Sequence, residues 1–256
     1  MSKSINRTLK TQKIGQTKIS NQGFLMTIVD YIDSKHIVIE FNDRYKTHKI
    51  DEYTDFKKGN IQNPSVNVLY RKFIAYKDDI KQNPLAFEKY RAMADRCYGD
   101  QTGNNKVYKG CQICEEWYQF ENFVKWFNEN YYQIENETME LDKDIFGNGK
   151  LYSPQNCVFI THKLNSWFTR TRTKKRPRTL LAQTLPIGVT IHKTKNGTIR
   201  YRVVDLPKNQ LFDDINEARK AYCNFINQQY KDYANIHKTQ LPKKLYDYLV
   251  NYNMAI

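Results

Sequence analysis

The sequence predicts an α+β fold built from more than one domain. At about 150 residues per domain, 256 residues correspond to one large domain or two to three small ones. A content of 40% hydrophobic and 27% charged residues is that of a folded globular protein. The hydrophobic residues alternate with a period of two in some segments and recur at steps of three and four in others, which indicates both strands and helices.

The charge distribution predicts a polyanionic partner, with nucleic acid as the first candidate. The chain has 41 Lys and Arg against 27 Asp and Glu, a net charge of +14. Residues 1–66 carry 11 basic and 7 acidic residues, residues 67–169 carry 13 and 14, and residues 170–256 carry 17 and 6. A neutral centre between basic flanks favours a chain that binds with its ends and does chemistry in its middle, over a chain with merely solvated surface charge.

Neither a membrane segment nor a disulfide scaffold is expected. No stretch reaches 18 consecutive apolar residues, and the first residues contain no apolar core of a signal sequence. We therefore expect a soluble cytoplasmic protein with no membrane partner. Five cysteines are an odd number spread thinly along the chain, so we expect buried thiols or metal ligands in a reducing compartment.

Residues 12–64 are predicted to form a small β-rich N-terminal module. Two runs of alternating hydrophobic residues, FLMTIVDYI and HIVIEF, are separated by turn-forming residues, and the segment closes at Asn63-Pro64. This pattern is typical of an antiparallel β-unit. The segment is too short for a large core, and its basic residues are scattered, so it is either a DNA-contacting module or a docking cap.

Residues 65–138 are predicted to be helical and to belong to a domain that extends to residue 169. Apolar residues recur at steps of three and four in LYRKFIAYKDDI, FEKYRAMADRCY and WYQFENFVKWFNENY. The last run has aromatic residues on one face, which is typical of a buried core rather than a cofactor site. These residues are Trp117, Phe120, Phe123 and Phe127.

The cysteines of this region leave two interpretations open. Cys111 and Cys114 have the spacing of half a zinc site, and Cys97 and Cys157 would complete four thiolates if the fold brought them together. Buried cysteines that act as small hydrophobic residues are the favoured interpretation.

The segment 139–169 is predicted to form a strand, a glycine turn, a second strand and a helix. Asp142, Lys143 and Asp144 end the first strand, Asn156 opens the second, and Asn165 falls on the helix. Cutting a phosphodiester needs a divalent cation, a nucleophile and a scaffold that holds both at one place. A ββα hairpin with these polar residues at these spacings suits that task.

The segment MELDKDIFGNGKLYSPQNCVFIT resembles the HNH, or ββα-metal, endonucleases of phages and mobile introns, in the branch that reads L-D-[RK]-D, Y-x-P-x-N-C and a final Asn. The preceding RCYGDQTGNNKVYKGCQICEEWYQFENFVKWF resembles the helical lead-in of that branch, so the likeness spans about residues 90–168. The resemblance implies a homing-type endonuclease in a bacterial or phage-infected cell. It also implies a divalent cation, Mg²⁺ or Mn²⁺, and double-stranded DNA as the substrate.

The resemblance also implies catalytic roles for individual residues. Asp142 and Asn165 would be the two metal ligands, and Asn156 would pin the loop between the strands. Lys143 stands where the family has its general-base histidine. A lysine with its usual pKa of about 10.4 acts as a base only if repulsion and burial lower that pKa by about three units.

Alternatives to Lys143 as the general base remain open. Lys143 could hold the phosphate while the metal or His162 supplies the nucleophile. The chain could also be a non-catalytic phage DNA-binding regulator, or an inhibitor of a host nuclease, on a degenerate HNH scaffold.

Residues 170–184 are predicted to be a basic linker, and residues 185–256 a sheet-type DNA-binding domain. Three short strands surround the Asn196-Gly197 hairpin signal, and two helices follow. The run LPIGVTIHKTKNGTIRYRVVDLPKNQLFDDINEARKAYCNFINQQY resembles the DNA-binding domain of plant ethylene-response transcription factors, which places a three-stranded sheet in the major groove. The residues expected to contact DNA are Arg170, Arg172, Lys174, Lys175, Arg176, Arg178, His192, Lys193, Lys195, Arg200 and Arg202.

Overall fold

The fold is α+β, with 40% helix and 24% strand, as the mixed patterning predicted. The computed structural model describes residues 10–147, 149–172, 184–203, 206 and 210–254. Among these residues, no helix is long and apolar enough to cross a membrane. Backbone contacts divide the chain into two compact units, Met1–Asn128 with Asn148–Pro154 and Glu129–Gly147 with Gln155–Ile256.

The first unit begins with a four-stranded antiparallel sheet in the order β1-β2-β3-β4. Alternation places Ile28, Ile37 and Ile39 on one face, where they are fully buried. A short helix, α1, adds Phe56 to this core and ends at Gly59, whose φ of 74° lies in the left-handed region that glycine favours. The elements are β1 (Thr17–Ile19), β2 (Leu25–Asp33), β3 (His36–Phe41), β4 (His48–Asp51) and α1 (Tyr53–Lys58).

The rest of the first unit is mainly helical around one β-hairpin. An aromatic core holds it together, and the predicted burial of Trp117, Phe120, Phe123 and Phe127 is confirmed. The Tyr90 hydroxyl donates a 2.9 Å hydrogen bond to the Trp117 carbonyl inside this core. The elements are β5 (Val66–Leu69), β6 (Phe73–Tyr76), α2 (Lys77–Gln82), α3 (Pro84–Tyr98), β7 (Gln112–Ile113) and α4 (Phe120–Asn130), with 3-10 helices at Gly103–Tyr108 and Glu115–Tyr118.

The prediction of a helix across LYRKFIAYKDDI is wrong. The first part of this run forms the turn and second strand of the β5–β6 hairpin, and only its end enters α2. Tyr70 and Arg71 at the turn have φ values of 50° and 60°. Tertiary contacts fix this conformation, because the Tyr70 hydroxyl donates to Asp95 at 2.7 Å and Phe73 is fully buried.

The second unit contains the β-hairpin and helix of segment 139–169 together with the C-terminal sheet and helices. Strand β8 pairs with β10 antiparallel, while the intervening β9 pairs in parallel with β7 and belongs to the first unit. The elements from residue 139 onward are β8 (Met139–Asp142), β9 (Leu151–Tyr152), β10 (Val158–Thr161), α5 (His162–Arg172), β11 (Val189–Lys193), β12 (Ile199–Val203), β13 (Leu211–Phe212), α6 (Ile215–Ile236) and α7 (Lys243–Val250).

One hydrophobic core joins α5 and β10 to the C-terminal elements. Phe168 on α5 stacks on Tyr230 of α6, with ring centroids 4.9 Å apart. The hydroxyls of Thr161 and Tyr233 form a buried 2.9 Å hydrogen bond. The run of basic residues predicts a linker at 170–184 between two domains. The residues on either side of that segment share a core.

The C-terminal sheet has the order β11-β12-β13, and α6 packs against one face. Val189 and Val203 are buried on that face, and Asp214 caps α6 by accepting hydrogen bonds from two backbone N–H groups of its first turn. A Cβ on Gly188 would lie 2.4 Å from the Tyr222 ring, so only glycine fits there. Phe212 packs on the core, whereas Leu211 is paired with Arg202 and points to the other face.

Arg170 and Arg172 belong to the last turn of α5 rather than to an extended linker. The helix continues because Phe168 and Thr171 are buried against the C-terminal helices. Lys174, Lys175, Arg176 and Arg178 lie outside the described residues.

Candidate active site

The β8–β10 pair and α5 bring the polar residues of segment 139–169 into one ββα arrangement. Asp142, the last residue of β8, lies opposite Val158 in β10. Helix α5 begins directly after β10 and carries Asn165 one turn from its start. Asn156 lies just before β10, at the end of the connecting loop.

Asp142 is buried at the start of this loop, with 6% of its surface exposed. Its Oδ1 accepts hydrogen bonds from the backbone N–H groups of Asp144, at 2.9 Å, and Ile145, at 2.8 Å. These bonds turn the chain out of β8 and fix the carboxylate, so Asp142 has a structural task besides any ligand role.

Asn156 lies against the loop at Gly147. A Cβ on Gly147 would meet the Lys143 carbonyl oxygen at 2.7 Å and the Asn156 Cγ at 2.9 Å. The loop backbone therefore approaches the Asn156 side chain too closely for any residue but glycine. Asn156 therefore packs directly on the backbone of this loop.

Lys143 is unusual for a lysine, because only 6% of its side chain is exposed. Its Nζ donates a 2.8 Å hydrogen bond to Oδ1 of Asp144. An ammonium held by a carboxylate donates protons in hydrogen bonds and does not accept one. This arrangement suits a residue that holds the loop or a phosphate better than one that acts as a base.

Glu140 is a residue of the site that the sequence pattern does not predict. It lies on β8 and contacts two side chains of α5: Oε1 is 2.8 Å from Nδ1 of His162, and Oε2 accepts a 2.5 Å hydrogen bond from Nδ2 of Asn165. A single glutamate on a strand has no characteristic spacing. Only the antiparallel pairing of β8 with β10, which leads into α5, brings it near these residues.

Glu140 determines the state of His162. A carboxylate only accepts hydrogen bonds, so Nδ1 of His162 carries the proton and Nε2 is the nitrogen that accepts one. The hydrogen bond and the negative charge of Glu140 raise the pKa of His162 above its ordinary value. The imidazole is 70% exposed, so substrate can reach it.

Glu140 also orients the amide of Asn165. Because the NH₂ group faces the carboxylate, Oδ1 of Asn165 faces away and is the atom suited to bind a cation. A carboxylate and a carboxamide are hard oxygen donors, which Mg²⁺ and Mn²⁺ prefer, and Mg²⁺ commonly takes one or two protein ligands plus phosphate and water. The donor set of Asp142 and Asn165 therefore fits the expected ion.

The described residues contain no group of three or more His, Cys, Asp or Glu side chains that could hold a metal ion. Of the four cysteines considered for zinc, Cys97, Cys111 and Cys157 are buried. Burial raises the pKa of the Cys114 thiol. A site formed by Asp142 and Asn165 contains only one residue of these four types, so this criterion does not apply to it. The pair therefore remains a candidate site for a divalent cation.

A second candidate surface lies on the C-terminal sheet, on the face away from α6. Thr190 pairs with Arg202, and His192 pairs with Arg200, so these four side chains share one face. Lys193, at the end of β11, falls on the opposite face by register. Lys195 lies in the exposed hairpin turn.

The two arginines of this face differ in their environment. The Arg200 guanidinium engages Asp213 twice, with Nε at 2.6 Å from Oδ1 and Nη2 at 3.1 Å from Oδ2. Arg202 is exposed, and its guanidinium has no ion pair within the described part of the chain. Arg202 is therefore the more available phosphate or base contact.

Comparison with known proteins reveals no relative. A scan against protein-family models, a search of curated proteins and a search of solved structures each found no match to the chain. A function is therefore inferred from the residues of this chain alone.

Proposed function

We propose that the chain is a divalent-metal-dependent DNA endonuclease of the HNH type that nicks or cleaves double-stranded DNA. The observation that carries this proposal is the Glu140 contact with both His162 and Asn165 within a β-hairpin and helix. It gives one oriented nitrogen base and one oriented oxygen ligand on the same helix. Such pairs are what phosphodiester hydrolysis requires.

Asp142 and Asn165 would hold the cation. When bound, the cation neutralises charge on the scissile phosphate and polarises it toward attack. The loop contacts of Asp142 and the Glu140 contact of Asn165 hold these side chains in place before substrate arrives. Asn156, packed on Gly147, keeps the intervening loop in position.

His162 is the general base in this proposal, in place of Lys143. Glu140 fixes its tautomer and supports the positive charge that forms when Nε2 takes a proton from water, as a carboxylate does beside the histidine of a hydrolase triad. Lys143, paired with Asp144, would hold the loop or a phosphate.

The substrate class follows from charge. The net charge of residues 170–256 is +11, and Arg200, Arg202 and His192 lie on one exposed sheet face. Arginines on alternating positions of a sheet suit contacts to phosphates and guanine in the major groove of a duplex. The N-terminal sheet would be a further flanking module.

A plasmid-cleavage assay tests the proposal. Purified chain should convert supercoiled plasmid to the nicked or linear form with Mg²⁺ or Mn²⁺, and EDTA should abolish the conversion. His162→Ala should lower the rate strongly, and Lys143→Ala should lower it less. Cleavage that survives EDTA, or full activity in His162→Ala, would contradict the proposed mechanism.

A non-catalytic DNA-binding protein is the second candidate, and the state of Lys143 favours it. Lys143 occupies the position at which HNH endonucleases have their general-base histidine, and its side chain is buried against Asp144. A regulator or nuclease inhibitor would bind duplex DNA without cutting it under any divalent ion. Lys143→His tests whether position 143 can act as a base: a nuclease that uses this position should retain or gain activity, and a binding protein should stay inactive.

A further inference from the structure

We propose that the first unit binds a single unpaired nucleotide of DNA in a cleft beside the N-terminal sheet. The cleft has a volume of about 440 Å³, within the usual range of small-ligand sites of about 300–1,000 Å³. It is formed by the β1–β2 loop, the loop after α1, and the β5–β6 hairpin. None of the residues proposed for cleavage lines it.

The lining has a chemistry suited to a nucleotide. Four carboxamides, from Asn21, Gln22, Asn60 and Gln62, border the cleft with Arg71, and no carboxylate of the described residues borders it. The Gln62 carboxamide has a donor and an acceptor available, and those of Asn60 and Gln22 have a donor available, which suits the edge of a base. Arginine matches a phosphate. Ile61 and Val68 supply apolar surface for the face of the base.

Several of these groups are held in place before any ligand arrives. The Asn21 backbone N–H donates to the Gly59 carbonyl at 2.7 Å, and its Nδ2 donates to Oδ1 of Asn60 at 2.7 Å. Oε1 of Gln22 accepts a 2.8 Å hydrogen bond from the Asn63 backbone. The two loops are thereby tied together, which leaves Nδ2 of Asn60 and Nε2 of Gln22 as donors for a ligand.

The β5–β6 turn places the Arg71 side chain at the cleft. Tyr70 and Arg71 both have positive φ, as the two central residues of a type I′ turn do, and the Lys72 backbone N–H closes this turn by donating to the Leu69 carbonyl at 3.1 Å. The Tyr70 hydroxyl donates to Asp95 and anchors the turn. The Arg71 side chain makes no hydrogen bond or ion pair to any described residue, so its guanidinium is available to a ligand.

The concave shape favours an unpaired nucleotide over duplex DNA. A duplex is read by elements that protrude into its grooves, whereas a nucleotide removed from the stack enters a pocket and is read on its base edges. A chain that cuts DNA would encounter such nucleotides, but binding here does not depend on cleavage.

The test is a titration of the full-length ¹⁵N-labelled chain with deoxynucleoside monophosphates in EDTA, followed by amide chemical shifts. Saturable shifts are expected at residues 21–22, 59–62 and 71. Arg71→Gly should fold at least as stably, because glycine adopts this φ without strain, yet bind about tenfold more weakly. Asn60→Asp keeps the acceptor for Asn21 but places a negative charge in the cleft, and should also bind about tenfold more weakly.

Lys72→Ala is the matched control, because it removes an adjacent positive charge that does not line the cleft. Its affinity should equal that of the wild type. Absence of shifts at these amides, unchanged affinity in Arg71→Gly, or equal binding of nucleosides without phosphate would overturn the proposal. So would inorganic phosphate alone binding as tightly as the nucleotides. EDTA prevents cleavage, so the outcome is independent of the proposed nuclease activity.

Discussion

Glu140 contacts two side chains of α5, so replacing it changes two functional groups at once. In Glu140→Gln the negative charge that raises the pKa of His162 is lost, and the pKa should fall. A general base works only when unprotonated, so the rise of cleavage rate with pH should move to lower pH. The maximal rate should also fall, because the neutral amide of this variant no longer dictates which atom of the Asn165 amide faces the metal.

Glu137→Gln is the control for this prediction. Glu137 also raises the pKa of His162 by its charge but makes no hydrogen bond to Asn165. It should shift the pH profile slightly and leave the maximal rate unchanged. A proton NMR titration of His162 in each variant measures the pKa separately from the rate. An unchanged pKa in Glu140→Gln would show that this ion pair does not form in solution.

Asp142 stabilises the loop after β8 and is also a proposed metal ligand. Two substitutions separate these two roles. Asp142→Ala removes the acceptor for two backbone N–H groups, one of them buried, and should lower the free energy of unfolding by about 1–3 kcal/mol. Asp142→Asn keeps an acceptor oxygen and should be closer to wild type in urea unfolding. Both should lose divalent-dependent cleavage while DNA affinity stays within a few-fold. Cleavage by Asp142→Asn at the wild-type rate would remove Asp142 from the metal site.

Among the secondary structure elements, those with strong local patterns were predictable. The alternating run HIVIEF forms β3, and the Asn196-Gly197 signal lies at the turn between β11 and β12. The β5–β6 hairpin was not predictable, because Tyr70 and Arg71 are not turn-forming residues and distant contacts impose their conformation. Sequence spacing likewise indicated Asp142 and Asn165 but could not predict that Glu140 contacts both His162 and Asn165. That contact depends on the pairing of distant strands.

The packing of the C-terminal sheet on α6 predicts different effects for two glycines. Gly188 and Gly197 have φ values of 84° and 82°, so alanine at either site incurs the left-handed penalty of about 1–2 kcal/mol. Only at Gly188 does a Cβ also collide with the Tyr222 ring, whereas Gly197 faces open space. Gly188→Ala should therefore be the less stable by about 1–3 kcal/mol. Equal melting temperatures for the two variants would contradict this packing.

The second unit is expected to fold as a whole, because its core draws on both ends of its sequence. A chain that stops at residue 172 leaves Phe168 without Tyr230, Tyr248 and Tyr252, which surround it. We expect the shortened chain to lose the ordered environment of His162 and Asn165. NMR should then show a narrow range of amide chemical shifts, and a hydrophobic dye should bind the exposed apolar surface.

A chain cut once within 173–183 after folding is the control for the shortened chain. It keeps every core side chain, so the two pieces should remain together and retain the amide spectrum. If the shortened chain kept a folded ββα segment, the shared core would contribute little to the proposed site.

The shared core also links ligand binding to the local stability of the helix that carries the proposed catalytic residues. A ligand that binds the arginine face of the folded sheet stabilises every residue that unfolds with that sheet, by about 2.7 kcal/mol at a hundred times its dissociation constant. Since Phe168 and Leu164 unfold together with Val189 and Val203, that protection extends to α5. Bound DNA would thus slow hydrogen exchange at Asn165, far along the chain from Arg202, without touching it.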